Sequence, residues 1–422
     1  MPFIRFSAIL LSLLLLSLTS CQSLPPTATL VPSATPLTTT TPFFQPTATR
    51  TPSATPAATT TLTATATPTP AYPAYNGPPL NRAQIGVQIY LHREDVTRLI
   101  QQLQELDVGW VKVQVSWKLH EPAPSQYDAA WFAELDALVA AAHTNNITIL
   151  LSVSKAPEWS RPTTELDGPP LDNAHFRQFM QALAQRYAGR VGGYELWNEP
   201  NLQREWAGLP LDAAAFVTLI QAGAEGVRAA DPLALIISGA PAVTGINDGV
   251  AAIDDRRYFR AMLAAGVGQI ADGLGVHPYG WANPPDSTVS QPDAAATSHN
   301  DHPSFFFQDT LREYGAMLAE FGFEEKQLWV TEFGWGSFER MGVSPPPEAT
   351  FMADVSEWQQ AVYLQRALEL AHSWSWVGPM FIWNLNFAPG IGPEFSESGY
   401  SLLRSDGSRR PAYFALAATP KR

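Results

Sequence analysis

Two glutamates carry the residue types and surroundings that acetal chemistry needs. Glu199 stands in Tyr194-Glu195-Leu196-Trp197-Asn198-Glu199-Pro200-Asn201, and Glu332 in Trp329-Val330-Thr331-Glu332-Phe333-Gly334-Trp335. Each follows a short β-rich run, so each is expected at a strand end. Cleaving a glycosidic bond needs two such carboxyls. One protonates the leaving oxygen, and the other attacks the anomeric carbon or activates a water. A separation of about 5–5.5 Å gives retention through a covalent intermediate, and a wider gap gives inversion. Sequence spacing does not set that distance. Trp117, Trp159, Trp206, Trp281 and Trp335 fall near predicted strand ends or in the following loops. Any one of them suits packing better than stacking on a sugar. Together they suit a cleft with several sugar subsites and an endo-acting enzyme.

Other chemistries find less support. Cys21 is the single cysteine, which excludes an intramolecular disulfide, a thiolate zinc site and an iron–sulfur cluster. A net charge of −13 argues against a duplex nucleic-acid binder, which needs a basic face to replace counterions. There is no Gly-x-Ser-x-Gly elbow, no Walker loop and no Ser-His-Asp order that stands out. His299-Asn300-Asp301-His302 has metal-ligand types but sits in a polar loop, so neither a metal nor a cofactor is expected.

The elements that must position the glutamates alternate. Strands are predicted at Gln84–Tyr90, Trp110–Trp117, Ile147–Val153, Gly193–Asn198, Leu235–Gly239, Gly273–His277, Leu328–Glu332 and Met380–Leu385. Helical patterns lie between them at Asp95–Leu106, Ala129–His143, Ala174–Tyr187, Leu211–Ala230, Arg256–Ala265, Phe307–Glu320 and Glu357–His372. Strand–helix alternation implies a parallel sheet, and eight repeats are what a (β/α)8 barrel requires. An open doubly wound sheet competes, but it usually shows a Gly-rich phosphate turn after its first strand, and none follows Tyr90.

Strand parity points polar groups inward. Val111, Val113, Val115 and Trp117 share one face of the second strand; Lys112, Gln114 and Ser116 share the other. Ile85, Val87 and Ile89 likewise oppose Gln84, Gly86 and Gln88 on the first strand. The apolar faces should meet the helices. A polar interior is costly unless its groups are paired. Glu195 and Lys112 either pair there or are solvated separately.

With these residues in place, the chain resembles glycoside hydrolase clan A, the retaining (β/α)8 glycosidases, and looks closest to family 39-like and family 5-like members. The resemblance covers most of residues 84–416. It rests on Trp197-Asn198-Glu199-Pro200 and Thr331-Glu332-Phe333-Gly334, with support from His277-x-Tyr279, Trp383, Ser401-Leu402-Leu403, Asp406-Gly407 and Pro411-Ala412-Tyr413-Phe414. It implies that Glu199 is the acid/base and Glu332 the nucleophile. It also implies that Asn198 binds the sugar 2-hydroxyl, Tyr279 orients Glu332, His277 lines the mouth and Trp383 is a sugar platform. As acid, Glu199 should have its pKa raised by burial and by the neighbouring carboxylate. Many clan members carry an arginine on the second strand near the nucleophile. This sequence offers Lys112, a point charge rather than a planar fork.

The chain before Leu80 reads as address and tether. Residues 1–21 hold Arg5, an apolar run and Leu18-Thr19-Ser20-Cys21. The run is short of the about 20 residues a membrane span needs, so it reads as a secretory signal. Its ending resembles the bacterial lipobox, which would lipidate Cys21. Residues 22–79 are rich in Thr and Pro with Arg50 as their single charge, a composition that suits a semi-rigid stalk. The expected organisation is a signal at 1–21, a disordered linker at 22–79 and the barrel at 80–422. That protein would be a monomer outside the cytoplasm, touching the membrane through its lipid alone and binding carbohydrate. A non-catalytic glycan-binding lipoprotein on the same barrel, or a purely structural surface protein, remains an alternative reading.

Overall fold

The computed structural model describes residues 71–162 and 165–422. The signal segment with Cys21 and residues 22–70 of the Thr/Pro-rich stretch lie outside them. Tyr72 and Tyr75 already pack against the core, so the folded part starts a few residues before Leu80.

Eight parallel strands close into a barrel in chain order: β1 (Ile85–Ile89), β2 (Trp110–Ser116), β3 (Thr148–Ser154), β4 (Gly193–Leu196), β5 (Leu235–Ser238), β6 (Gly273–Val276), β7 (Gln327–Phe333) and β8 (Val377–Ile382). Among the described residues, the long helices are α1 (Val96–Leu106), α2 (Ala129–Thr144), α3 (Asn173–Tyr187), α4 (Ala213–Ala230), α5 (Asp255–Ala264), α6 (Phe307–Glu320), α7 (Glu357–His372) and α8 (Pro411–Ala418). Asp95, Asp128, Asp172, Asp212 and Asp254 cap α1 to α5 through side-chain oxygens, and Ser356 with Gln359 forms a capping box on α7. Each such cap is worth about 0.5–2 kcal/mol and marks where strand-to-helix turns end. No helix among the described residues is long and apolar enough to cross a membrane.

Two strand ends differ from expectation for a backbone reason. β8 begins at Val377 rather than Met380 because Pro379 lies inside it. The ladder steps from Leu328↔Val377 to Val330↔Met380, an irregularity that tolerates a proline without its N–H. β4 stops at Leu196 because Trp197 takes φ 76°, which ends the extended chain.

The outer faces behave as parity demands. Val111, Val113 and Val115 join the main core between barrel and helices. Inside, the barrel has two tiers. The lower is an apolar plug of Leu150, Ile237, Trp329 and Phe381, with Trp110 and Leu235 against it. Its bulk needs glycine opposite. A Cβ on Gly86 would lie 2.4 Å from Phe381, and one on Gly273 2.3 Å from Trp329. The upper tier is polar and holds Lys112 and Glu195, both fully buried. The segment that leads into the barrel meets its last residues, where Leu80 exchanges backbone hydrogen bonds with Pro420 and Arg422.

The plug seals the polar tier from below. Phe381→Ala should therefore cost about 3–5 kcal/mol, the usual price of emptying a buried phenylalanine site. Chemical denaturation of the parent and variant measures it.

Candidate active site

The chain leaves β4 by breaking its own alternation. Leu196 and Trp197 both face the outer core, where the Trp197 ring packs against Phe176 and Trp206. Trp197 and Glu199 both adopt positive φ, 76° and 42°. Such conformations cost about 1–3 kcal/mol each in non-glycine residues and persist only where the surroundings impose them. Here the neighbouring strand imposes them: the Glu199 N–H donates to Ala240 O at 3.0 Å. Asn201 then clamps the loop, donating to Ala242 O and Ile253 O at 2.9 Å and accepting from the Ala242 N–H at 2.8 Å. Glu199 is thereby aimed at the barrel mouth.

Glu332 reaches the mouth by a register shift. Val330 and Phe333 both face the outer core, three residues apart, so the β7 alternation skips between them. The skip turns Glu332 inward. Lys112 Nζ donates to its Oε1 at 3.2 Å and to Thr331 O at 3.1 Å, and pairs with Glu195 Oε2 at 2.8 Å. The Tyr279 hydroxyl donates to Glu332 Oε2 at 2.9 Å. His277 Nδ1, just past β6, lies 3.2 Å from Glu199 Oε1 and 3.9 Å from Glu332 Oε2. Both carboxylates thus bracket one buried imidazole. Asn198 Oδ1 is buried beside them without a protein partner. Trp383 is half-buried over the same mouth, with Tyr279 at 6.0 Å and Tyr400 at 5.0 Å between ring centres.

Residues 74–377 match the family described as Cellulase (glycosyl hydrolase family 5). This chain belongs to glycoside hydrolase family 5. No curated protein matches its sequence. Its fold is similar to that of a family 39 glycoside hydrolase from Bacteroides cellulosilyticus WH2, with a TM-score of 0.60 and 21% identity over 81% of this chain and 64% of that one. It is also similar to the exo-β-1,4-mannosidase Op5Man5 from Opitutaceae bacterium strain TAV5 (TM-score 0.54, 16% identity, 81% and 59% covered). A third is GH5_18 from Streptomyces cattleya in complex with GlcNAc (TM-score 0.53, 14% identity, 81% and 80% covered). The chain therefore spans less than two thirds of the first two.

The charges around the family 5 site correct one expectation. Burial raises the Glu199 carboxyl, but the His277 hydrogen bond and the Arg204 charge outweigh it and hold the pKa down at about 2. Arg204 Nη2 sits 2.9 Å from Glu199 Oε2, and its side chain is 67% exposed. The balance on Glu199 thus favours the carboxylate, the reverse of the expected direction. His277 moves the other way: burial disfavours its charged form, but Glu332 and Glu199 overcome this and raise it. Lys112 is likewise raised against its burial by Glu195 and Glu332. Of the two options for Glu195 and Lys112, the structure forms the pair.

Three of the expected sugar platforms are core residues instead: Trp206 is buried against Trp197 and Phe216, with its indole N–H on Pro210 O at 3.1 Å, and Trp117 and Trp335 are enclosed likewise. Trp117 is fully buried between Phe176 and Phe179, and its indole N–H is taken by Glu121 Oε2 at 2.6 Å. Trp335 is buried against Phe307 and Tyr363, with its N–H on Asn283 O at 2.7 Å. Their faces are filled, so no sugar reaches them. Trp159 and Trp281 are half-buried; Trp159 donates to Glu121 O at 3.0 Å, and Trp281 stacks on His299 at 5.3 Å. The sequence reading did not single out Arg204 or Glu205. No periodicity marks them, only their nearness in sequence to Glu199.

Two outcomes follow from these charges. Lys112→Met strands Glu195 in the barrel and should cost about 3–5 kcal/mol, and adding Glu195→Leu should recover much of it; denaturant titration of both variants tests the pair. Glu205 is raised to about 7, chiefly by burial, with Glu199 and Asp167 adding to it against Lys155 and Arg204. A raised carboxyl favours the fold below its ordinary pKa, and that contribution is lost as pH rises through 7. Glu205→Gln should accordingly raise the melting temperature at pH 8 and leave it unchanged at pH 4.

Proposed function

We propose that the protein is a retaining β-glycosidase that cleaves O-glycosidic bonds of an extracellular poly- or oligosaccharide by double displacement. The observation that carries this reading is the position of His277 Nδ1, within 4.0 Å of a carboxylate oxygen on both Glu199 and Glu332. That contact limits the gap between the carboxylates. The oxygens that meet His277 can lie at the about 5–5.5 Å spacing of retaining enzymes.

In this reading Glu332 attacks the anomeric carbon. Lys112 and Tyr279 each hold one of its oxygens, which fixes the attacking lone pair. Glu199 gives a proton to the leaving oxygen and then takes one from the water that releases the sugar. Asn198 Oδ1 accepts from the sugar 2-hydroxyl, a contact that strengthens in the transition state. His277 bridges the carboxylates, and Trp383 lies under the sugar ring. Family membership and the pairing of two mouth carboxylates support these roles. The Leu18-Thr19-Ser20-Cys21 ending supports export and lipid anchoring of a monomer, with the Thr/Pro-rich stretch as its tether.

The test is a panel of β-glucans, xylans, mannans and galactans assayed for new reducing ends. Release by the parent and none by Glu332→Gln is expected; equal release by both overturns the nucleophile assignment. Glu199→Ala should lose about 10²–10⁴-fold on poor leaving groups and less on activated aryl glycosides. Azide should restore that variant and give a β-glycosyl azide, whereas an α-azide contradicts retention. Anchoring has its own readout. Labelled palmitate should enter the parent in its bacterial host and be absent from Cys21→Ser.

A further inference from the structure

A glycosidase acid must hold a proton before it can give one, yet His277 and Arg204 both favour the charged form of Glu199. The partner that can leave is Arg204. It stands on a rigid turn: Leu202 donates to Glu199 O at 3.1 Å, Glu205 to Leu202 O at 3.1 Å, and the Trp197 indole to Glu205 O at 3.2 Å. Its guanidinium, by contrast, lies at the end of a long chain in solvent. His277 is fully buried between β6 and both carboxylates and has no such freedom.

A second carboxyl, Glu205, follows Arg204 directly in the chain. Glu205 Oε2 is buried and accepts no hydrogen bond. Arg204 and Glu205 line one cavity of about 290 Å³, together with Lys118, Glu165, Leu166 and Asp167. The other cations there are already engaged: Lys118 and Lys155 both sit on Asp167, at 2.5 and 3.0 Å. A buried carboxyl with an open acceptor, beside an exposed arginine that can rotate, is an unfilled ion-pair position.

We propose that Arg204 is a two-station positioning residue: its guanidinium pairs with Glu199 or with Glu205, and the carboxyl it leaves is moved toward its protonated form. The exchange is balanced, because the proton Glu199 gains is matched by the one Glu205 releases. With Arg204 on Glu199 the acid/base is charged. With Arg204 on Glu205, Glu199 keeps only His277 against it and takes up a proton more readily. The device rests on the acid/base role given to Glu199 above. The charged groups that face this cluster are His277 from β6, Glu332 from β7, Lys155 and Asp167 from the segment after β3, and Glu397 opposite Arg204.

The experiment needs no substrate, so its outcome is separate from that of the polysaccharide panel. Full-length protein carrying Cys21→Ser, labelled with ¹³C at glutamate carboxyls, is titrated by NMR. Signals are assigned from Glu199→Gln and Glu205→Gln. Arg204→Gln should raise the Glu199 midpoint by about 1–3 pH units, the usual effect of removing one close opposite charge. Arg204→Lys should leave it near the parent. Glu199→Gln frees Arg204 for its second station and should lower the Glu205 midpoint further than Glu199→Gln with Arg204→Gln does. An unmoved Glu199 midpoint in Arg204→Gln overturns the first station. Equal Glu205 midpoints in Glu199→Gln and the double variant overturn the second. Melting curves recorded alongside show that each variant is folded.

Discussion

A single buried ammonium holds the inner structure together. Lys112 lies inside the barrel, out of reach of water, and is bound by Glu195 from β4, Glu332 from β7 and the Thr331 carbonyl. An isolated charge in that position would cost many kcal/mol, so the lysine requires its carboxylates and they require it. Three strands far apart in the chain are thereby locked at one height. The apolar plug of Leu150, Ile237, Trp329 and Phe381 below keeps water out and so keeps those attractions strong. Glu332 inherits its orientation from this arrangement: one oxygen faces the ammonium, the other faces Tyr279.

Above that tier the mouth is a balance of charges rather than a set of separate residues. His277 touches both carboxylates, and Arg204 touches one of them from solvent. Glu205 lies nearby, half-buried and held toward its neutral form. Such a cluster is poor for stability, because a buried carboxyl and two residues at positive φ all work against the fold. The surrounding core accepts the burden. Trp197 packs against Phe176 and Trp206, and Asn201 closes three hydrogen bonds across to the segment after β5.

Much of this was legible in the residues alone. The eight strands and the barrel class follow from alternating short apolar runs and amphipathic stretches, and the second strand's alternation already turned Lys112 inward. Asn198, Glu199 and Glu332 stood out because strand ends are where barrels place chemistry. Other features were hidden for physical reasons. β8 starts three residues before the expected Met380, with Pro379 inside it where the ladder is irregular. Trp117 and Trp335 have the same residue type and strand-end position as a sugar platform, but neighbouring rings fill both faces. Arg204 and Glu205 carry no pattern at all, since loop charges obey no period.

The sequence by itself determined which segments extend, which coil, and which side chains share a face, because those depend on neighbours a few residues away. It also placed Glu199 and Glu332 at the ends of predicted strands. Only the closed barrel decided what each of them touches. Lys112 meets Glu332 across residues distant in the chain, and the inward turn of Glu332 depends on a skipped register between β7 and β8. The protonation of Glu199 was decided there too. Burial alone would have raised it, but the tertiary structure set His277 and Arg204 beside it and reversed the sign, since a pKa answers to whatever charges the fold brings near.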